Sequence, residues 1–115
     1  MNEAPITLNQ YQEEVKRTTA TTEFDDTLAM TAMGLAGESG EINEHIKKFL
    51  FHNHFLSKDE IAKEAGDVLW YLTCLCNALG VPLQDVIDQN VEKLRRRYPD
   101  GFSSEKSRNR EETND

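Results

Sequence analysis

Helix starts are written into this sequence twice in nearly the same chemistry, and they restrict its fold more than any other feature. Thr7-Leu8-Asn9-Gln10 has the form of a capping box. The Thr7 hydroxyl faces the N–H three residues on, and Gln10 is long enough to reach back to the Thr7 N–H. Ile6 and Tyr11 stand at the two positions of a hydrophobic staple. Ser57-Lys58-Asp59-Glu60 repeats the device, with Leu56 and Ile61 as its staple pair. Gly80 followed by Pro82 ends one helix and opens the next, because glycine tolerates the left-handed backbone of a helix C-terminus and proline suits a first turn.

Apolar spacing fills in the segments between these signals. Leu8, Tyr11 and Val15 mark one face of a first helix from about Leu8 to Ala20. A second helix is expected from Asp25 or Asp26 to about Phe51, carried by Leu28, Ala32, Leu35, Ile42, Ile46 and Phe49. Gly34, Gly37 and Gly40 interrupt it. Each costs up to ~1 kcal/mol relative to alanine in a helix interior, so their presence argues for close approach of a neighbour, with a kink as one outcome. The third helix runs from the Ser57 cap to Gly80. The fourth, from about Pro82 to Tyr98, has a stripe of Leu83, Val86, Ile87, Val91, Leu94 and Tyr98, and Tyr98-Pro99-Asp100-Gly101 closes it in a turn. No segment alternates apolar and polar residues, so the fold expected is all-α, a four-helix bundle-like protomer within residues 1–102. Ser103 to Asp115 is polar and charged and reads as a disordered tail. The third helix is apolar on two sides, with Ile61, Val68, Leu72, Leu75 and Leu79 on one and Trp70, Cys74 and Ala78 on the other. A chain this short cannot bury both, which predicts a homodimer or homotetramer.

The 115 residues carry a net charge of -8, with a pI near 4.8. That balance opposes contact with a nucleic-acid polymer, though not with a small anion that brings its own cation. Cys74 and Cys76 lie two positions apart in one helix and point in different directions, so neither a disulfide nor a zinc pair is expected of them. Met1 to Gln10 has neither a basic nor an apolar leader region, and Val68 to Leu83 is interrupted by Thr73 and Asn77. A cytoplasmic protein without a membrane segment is the expectation.

Two acid pairs then stand out, Glu38-x-x-Glu41 on the second helix and Glu64-x-x-Asp67 on the third. A three-residue step returns to within about 60° of its start and rises about 4.5 Å, so each pair leaves one face of its helix. Side by side, the helices bring four carboxylates together. Such a group is tolerable only around a cation, and hard oxygen donors suit Mg²⁺, with Mn²⁺ as the alternative. A di-iron bundle would need Glu-x-x-His, but Ile42, Phe49 and Phe51 precede His45, His52 and His54 at that spacing. His52 and His54 read as loop residues, and Glu44 as a solvated charge. Asn90, Lys93 and Arg97 share one face of the fourth helix. In isolation they are a solvated basic edge; opposite a carboxylate-held metal they could take phosphate oxygens.

Gly34-Leu-Ala-Gly-Glu38-Ser-Gly-Glu41, Glu64-Ala-Gly-Asp67-Val-Leu-Trp-Tyr71 and Asn90-Val-Glu-Lys93-Leu-Arg-Arg-Arg97-Tyr-Pro-Asp-Gly101 together resemble the MazG-like nucleoside triphosphate pyrophosphohydrolases, over about Leu28 to Phe102. The resemblance implies Mg²⁺-dependent hydrolysis of a nucleoside triphosphate to the monophosphate and pyrophosphate, as in clean-up of a nucleotide pool. It implies Glu38, Glu41, Glu64 and Asp67 as metal ligands and Asn90, Lys93, Arg97 and Tyr71 as substrate contacts. Trp70 is open between that site and a core or subunit contact. One acid would serve as base, with Glu41 preferred over Glu38 for its outward position. The competing expectation is a non-catalytic helical oligomer that binds a partner or regulates, its acids serving only solubility.

Overall fold

The Thr7 capping box forms in full. Gln10 donates its N–H to Thr7 Oγ1 at 3.1 Å and its Oε1 accepts from the Thr7 N–H at 2.7 Å, an arrangement whose cap alone contributes on the order of 1 kcal/mol. In the computed structural model, which describes residues 4–109, this box opens α1 (Leu8–Thr18), followed by α2 (Phe24–Phe51), α3 (Lys58–Leu79), α4 (Leu83–Arg97) and a short α5 (Ser104–Arg108). The protein is all-α, with no strand among the described residues. None of these helices is by itself long and apolar enough to cross a membrane.

Several ends differ from the sequence expectation, each for a local reason. α1 stops at Thr18 rather than Ala20: Thr19 is extended, its N–H turns to the Lys16 carbonyl at 3.2 Å and its hydroxyl takes the Val15 carbonyl at 2.6 Å. Ser57 forms half of the second box, accepting from the Glu60 N–H at 3.3 Å. The Glu60 carboxylate lies instead 3.9 Å from Nδ1 of His45 on α2. The structureless tail expected from Ser103 is corrected over α5, where the Ser103 hydroxyl accepts from the Lys106 N–H and Glu105 sits in the first turn, with Arg108 in the last. The rest of that expectation, residues 110–115, lies outside the described residues.

α2 and α3 pair antiparallel, and their cross-contacts fix the register. Gly34 meets Tyr71, Glu38 meets Glu64 and Asp67, and His45 meets Glu60. α2 runs continuously through its glycines. Only Gly34 answers to the close approach expected of all three: a β-carbon there would collide with the Tyr71 ring, whereas at Gly37, Gly40 and Gly66 it would meet open space within this chain.

α1 crosses α3 and is tied there through the Gln12 and Asn77 side-chain amides. Gln12 Nε2 donates to Asn77 Oδ1 at 2.9 Å and to the Val81 carbonyl at 3.2 Å, its Oε1 accepts from the Leu83 N–H at 2.7 Å, and Asn77 Nδ2 donates to the Gln12 carbonyl at 3.1 Å. α4, whose N-cap Pro82 offers no side-chain oxygen, thus receives a cap from another helix. Gly80 takes the left-handed conformation at φ 69°, and α4 leaves α3 at 105°, packing mainly on α1.

That turn leaves the single chain thinly filled. Among the described residues Val15, Cys74, Cys76 and Leu83 are the buried apolar ones, and both cysteines are free thiols. Cys74 and Cys76, expected as small core residues, are buried, Cys74 at 1% exposure beneath α1, whereas Leu72 and Leu79 on the opposite apolar side of α3 are 42% and 53% exposed. Leu69 on α3 and Ile87, Val91 and Leu94 on α4 are open to a similar degree.

Candidate active site

The antiparallel register of α2 and α3 sets Glu38 opposite a helical turn that carries two acids. One carboxylate oxygen each of Glu38, Glu64 and Asp67 lies within 4.8 Å of the others. Glu38 and Glu64 are half-buried and Asp67 is exposed. The Glu38 carboxyl is pushed up from 4.5 to about 6, first by a hydrogen bond to the Glu64 side chain, then by partial removal from water, then by the charges of Asp67, Glu64 and Glu41. The charges that act on it are all negative, so Glu38 keeps its proton to a higher pH than an isolated glutamate does.

Glu41 is exposed and stands outside the trio, and its charge still reaches Glu38. The acids open into a cavity of about 350 Å³ lined by Glu38, Asp67, Trp70 and Tyr71. The Trp70 and Tyr71 rings stand edge-to-face with centroids 5.1 Å apart. Tyr71 is further held by its seat on Gly34, and Trp70 Nε1 donates to Thr18 Oγ1 at 2.9 Å. On the α1 side, burial pushes the Tyr11 phenol above its ordinary range and the Asp67 charge adds to the shift, so Tyr11 lies within electrostatic reach of Asp67. Asn90 is exposed and Lys93 and Arg97 are half-buried on α4, which departs from α3 at a wide angle. None of the three is among the residues that line the cavity beside the acids. Glu44 is paired with Lys47 at 3.1 Å and Lys48 at 3.8 Å, and His52 and His54 are exposed in the α2–α3 connection.

A converging set of oxygen donors, with no nitrogen or sulfur in it, fits a hard divalent cation. The upward shift of Glu38 among like charges marks the same shortage of positive charge. The family model of the MazG nucleotide pyrophosphohydrolase domain matches residues 26–102, which takes in α2, α3, α4 and every acid of the cleft. The chain belongs to the MazG nucleotide pyrophosphohydrolase family. A relative of this MazG protein is the Gene 37 protein of Mycobacterium phage L5, 38% identical over 78 residues, which are 64% of this chain and 68% of that one. No solved structure matches it.

Tyr71, expected at the substrate, and Trp70, left open between the site and a core or subunit contact, both line the MazG cleft. They continue the step that links Glu64 to Asp67 along one side of α3. Tyr11 gave no such signal, because its approach to Asp67 depends on how α1 crosses α3.

Proposed function

We propose that this protein hydrolyses a nucleoside triphosphate to the monophosphate and pyrophosphate with Mg²⁺, Mn²⁺ being the alternative ion. The observation that carries the reading is the trio of Glu38, Glu64 and Asp67 at the mouth of a cavity walled by Trp70 and Tyr71. These three acids, joined by Glu41, would hold the cation. When bound, the ion neutralises charge developing on the pyrophosphate and lowers the cost of deprotonating the attacking water. Water attacks the α-phosphorus, the bond from that phosphorus to the bridging oxygen breaks, and pyrophosphate leaves with the electron pair. Glu41, solvent-facing and one turn from the trio, takes the proton from water, and Glu38 is the second candidate for that role. Tyr71 and Trp70 flank the substrate.

Asn90, Lys93 and Arg97 are assigned to phosphate oxygens that the ion does not reach, with the bidentate geometry of Arg97 best suited to that role. The outward faces of α3 and α4 support a homodimer or homotetramer. Burying one leucine contributes ~1.5–3 kcal/mol, a large part of the ~5–15 kcal/mol that holds a domain folded. Half-open residues such as Leu69, Leu72 and Leu94 are well explained by a second copy. Such an assembly also offers a route by which a neighbour's α4 meets the acids. An intracellular nucleotide pool is the setting this chemistry suits.

The decisive experiment incubates the protein with ordinary and damaged nucleoside triphosphates and measures pyrophosphate release with Mg²⁺ and with EDTA. Release that needs the ion and is lost in Glu38→Gln is the result expected. No release from any nucleotide, with divalent binding unchanged in Glu38→Gln, would leave a non-catalytic helical oligomer.

A further inference from the structure

The two aromatic walls of the acid cleft are braced from different helices. Tyr71 is seated on Gly34 of α2, whereas the Trp70 indole donates at 2.9 Å to the hydroxyl oxygen of Thr18, the last residue of α1. Thr18 is well fixed for that role. Its one hydroxyl hydrogen is directed to the carbonyls of Glu14 at 2.9 Å and Val15 at 3.1 Å, which leaves the oxygen lone pairs to the indole. Val15 is buried, so the turn that carries Thr18 is anchored on its inner side. Thr18 does not itself line the cavity, and it lies outside the stretch that the family model matches. We propose, resting on the hydrolase reading, that Thr18 is a positioning residue that holds Trp70 as a stacking wall for the substrate's base, and that this wall contributes affinity without selecting which base binds.

The indifference to base follows from the chemistry of an indole. Its N–H is its only hydrogen-bonding group, and Thr18 has taken it. What Trp70 offers a nucleotide is therefore ring surface. Every base has a π-face, so stacking on an aromatic side chain serves purines and pyrimidines alike. The affinity follows from how the ring is held. Trp70 is half-buried, and Tyr71 meets it edge-to-face with centroids 5.1 Å apart. Packing thus encloses the indole only in part, and the bond to Thr18 supplies the fixed point. A ring already held in place loses less freedom when a base arrives than one that swings among rotamers, and that saving appears as tighter binding.

The test compares Thr18→Val, which keeps the shape of the side chain and removes the acceptor, with Thr18→Ser, which keeps the acceptor. Trp70 is the single tryptophan, so one indole N–H resonance of the full chain reports its contact. AMP, GMP, CMP and UMP are titrated with Mg²⁺ present, and the indole N–H and the Thr18 methyl of the parent are expected to shift together. Thr18→Val should weaken binding by about three- to tenfold, by the same factor for each nucleotide that binds, and Thr18→Ser should restore it. In pyrophosphate release from the four triphosphates, Thr18→Val should raise KM by a similar factor and leave kcat unchanged. A tie that serves only to hold α1 on α3 would lower the melting temperature and leave binding and KM where they were, which overturns the proposal. A loss confined to purines or to pyrimidines overturns it too. So does a parent whose indole N–H no nucleotide moves, and this result stands even where Thr18→Val does not fold. Nucleotide binding that depends on Thr18 without hydrolysis of any triphosphate defeats the reaction and keeps the wall. Hydrolysis with a KM indifferent to Thr18→Val defeats the positioning role and keeps the reaction.

Discussion

The ring of Tyr71 occupies the space that a β-carbon at residue 34 would need, so Gly34 and Tyr71 together set how closely α2 and α3 approach beside the acid cleft. Gly34→Ala should displace Tyr71, cost about 1–3 kcal/mol of stability as an overpacked site does, and lower turnover by moving the cleft wall. Gly37→Ala and Gly40→Ala face open space within the chain and should be neutral or stabilising by up to ~1 kcal/mol. Urea denaturation of the three variants separates the cases, and equal behaviour of all three would remove the special role of Gly34.

Glu38 is held among like charges, so neutralising it should have opposite effects on folding and on function. Glu38→Gln is expected to melt higher than the parent in EDTA, to lose the stabilisation that Mg²⁺ gives the parent, and to hydrolyse nucleotides at least a hundredfold more slowly. Calorimetry with and without Mg²⁺ checks the first two, and a variant that keeps the full Mg²⁺ shift would exclude Glu38 as a ligand.

The same carboxyl predicts a direction for pH. Its folded value is raised from 4.5 to about 6, so between those values the folded state binds more protons than the unfolded one and stability declines as pH rises. The favourable contribution is complete below about 4.5 and gone above about 6. Melting temperatures across that window in EDTA should show the decline for the parent and a flatter profile for Glu38→Gln. Saturating Mg²⁺, which competes with the proton, should reduce the parent's slope.

Gln12 satisfies the Leu83 N–H, the Val81 carbonyl and Asn77 with one half-buried amide. Gln12→Leu keeps much of the volume and strands all three partners, at roughly 1–3 kcal/mol for each polar group left unsatisfied. A loss of at least ~2 kcal/mol in denaturant unfolding is expected, and a loss below ~0.5 kcal/mol would show that water replaces the amide without cost.

Leu72 is 42% exposed on the outward face of α3. Leu72→Glu should therefore leave a true monomer unharmed but disrupt an assembly. Sedimentation is expected to give an oligomer for the parent and a smaller species for the variant, and a monomeric parent would dispose of the shared interface.

Much of this architecture was legible because it is local. Thr7 and Gln10 lie within one helical turn, and the Gly80-Val81-Pro82 break announces itself in three residues. The meeting of Glu38 with Glu64 and Asp67 was also foreseeable, since matched three-residue steps on neighbouring antiparallel helices leave few other arrangements. What escaped were relations set by packing angle. The periodicity of α3 shows that it has two apolar sides without saying which one α1 covers, so it could not tell that the Cys74 side is closed and the Leu72 side open. Tyr11 within electrostatic reach of Asp67, and Thr18 as the acceptor for Trp70, depend on the crossing of α1 over α3, for which no short-range signal exists. Ser103 and Glu105 did carry a cap signal for α5, masked by the polar composition around them.

α1 begins and ends before residue 26, where the family match starts, yet its Gln12 secures the α3–α4 turn and its Thr18 steadies the cleft tryptophan. The stretch shared across relatives is therefore smaller than the unit that must fold. A gene fragment trimmed to the shared stretch would carry all the acids and still lack the strut that keeps them usable, so inactivity of such a fragment would speak to its truncation and not to its chemistry.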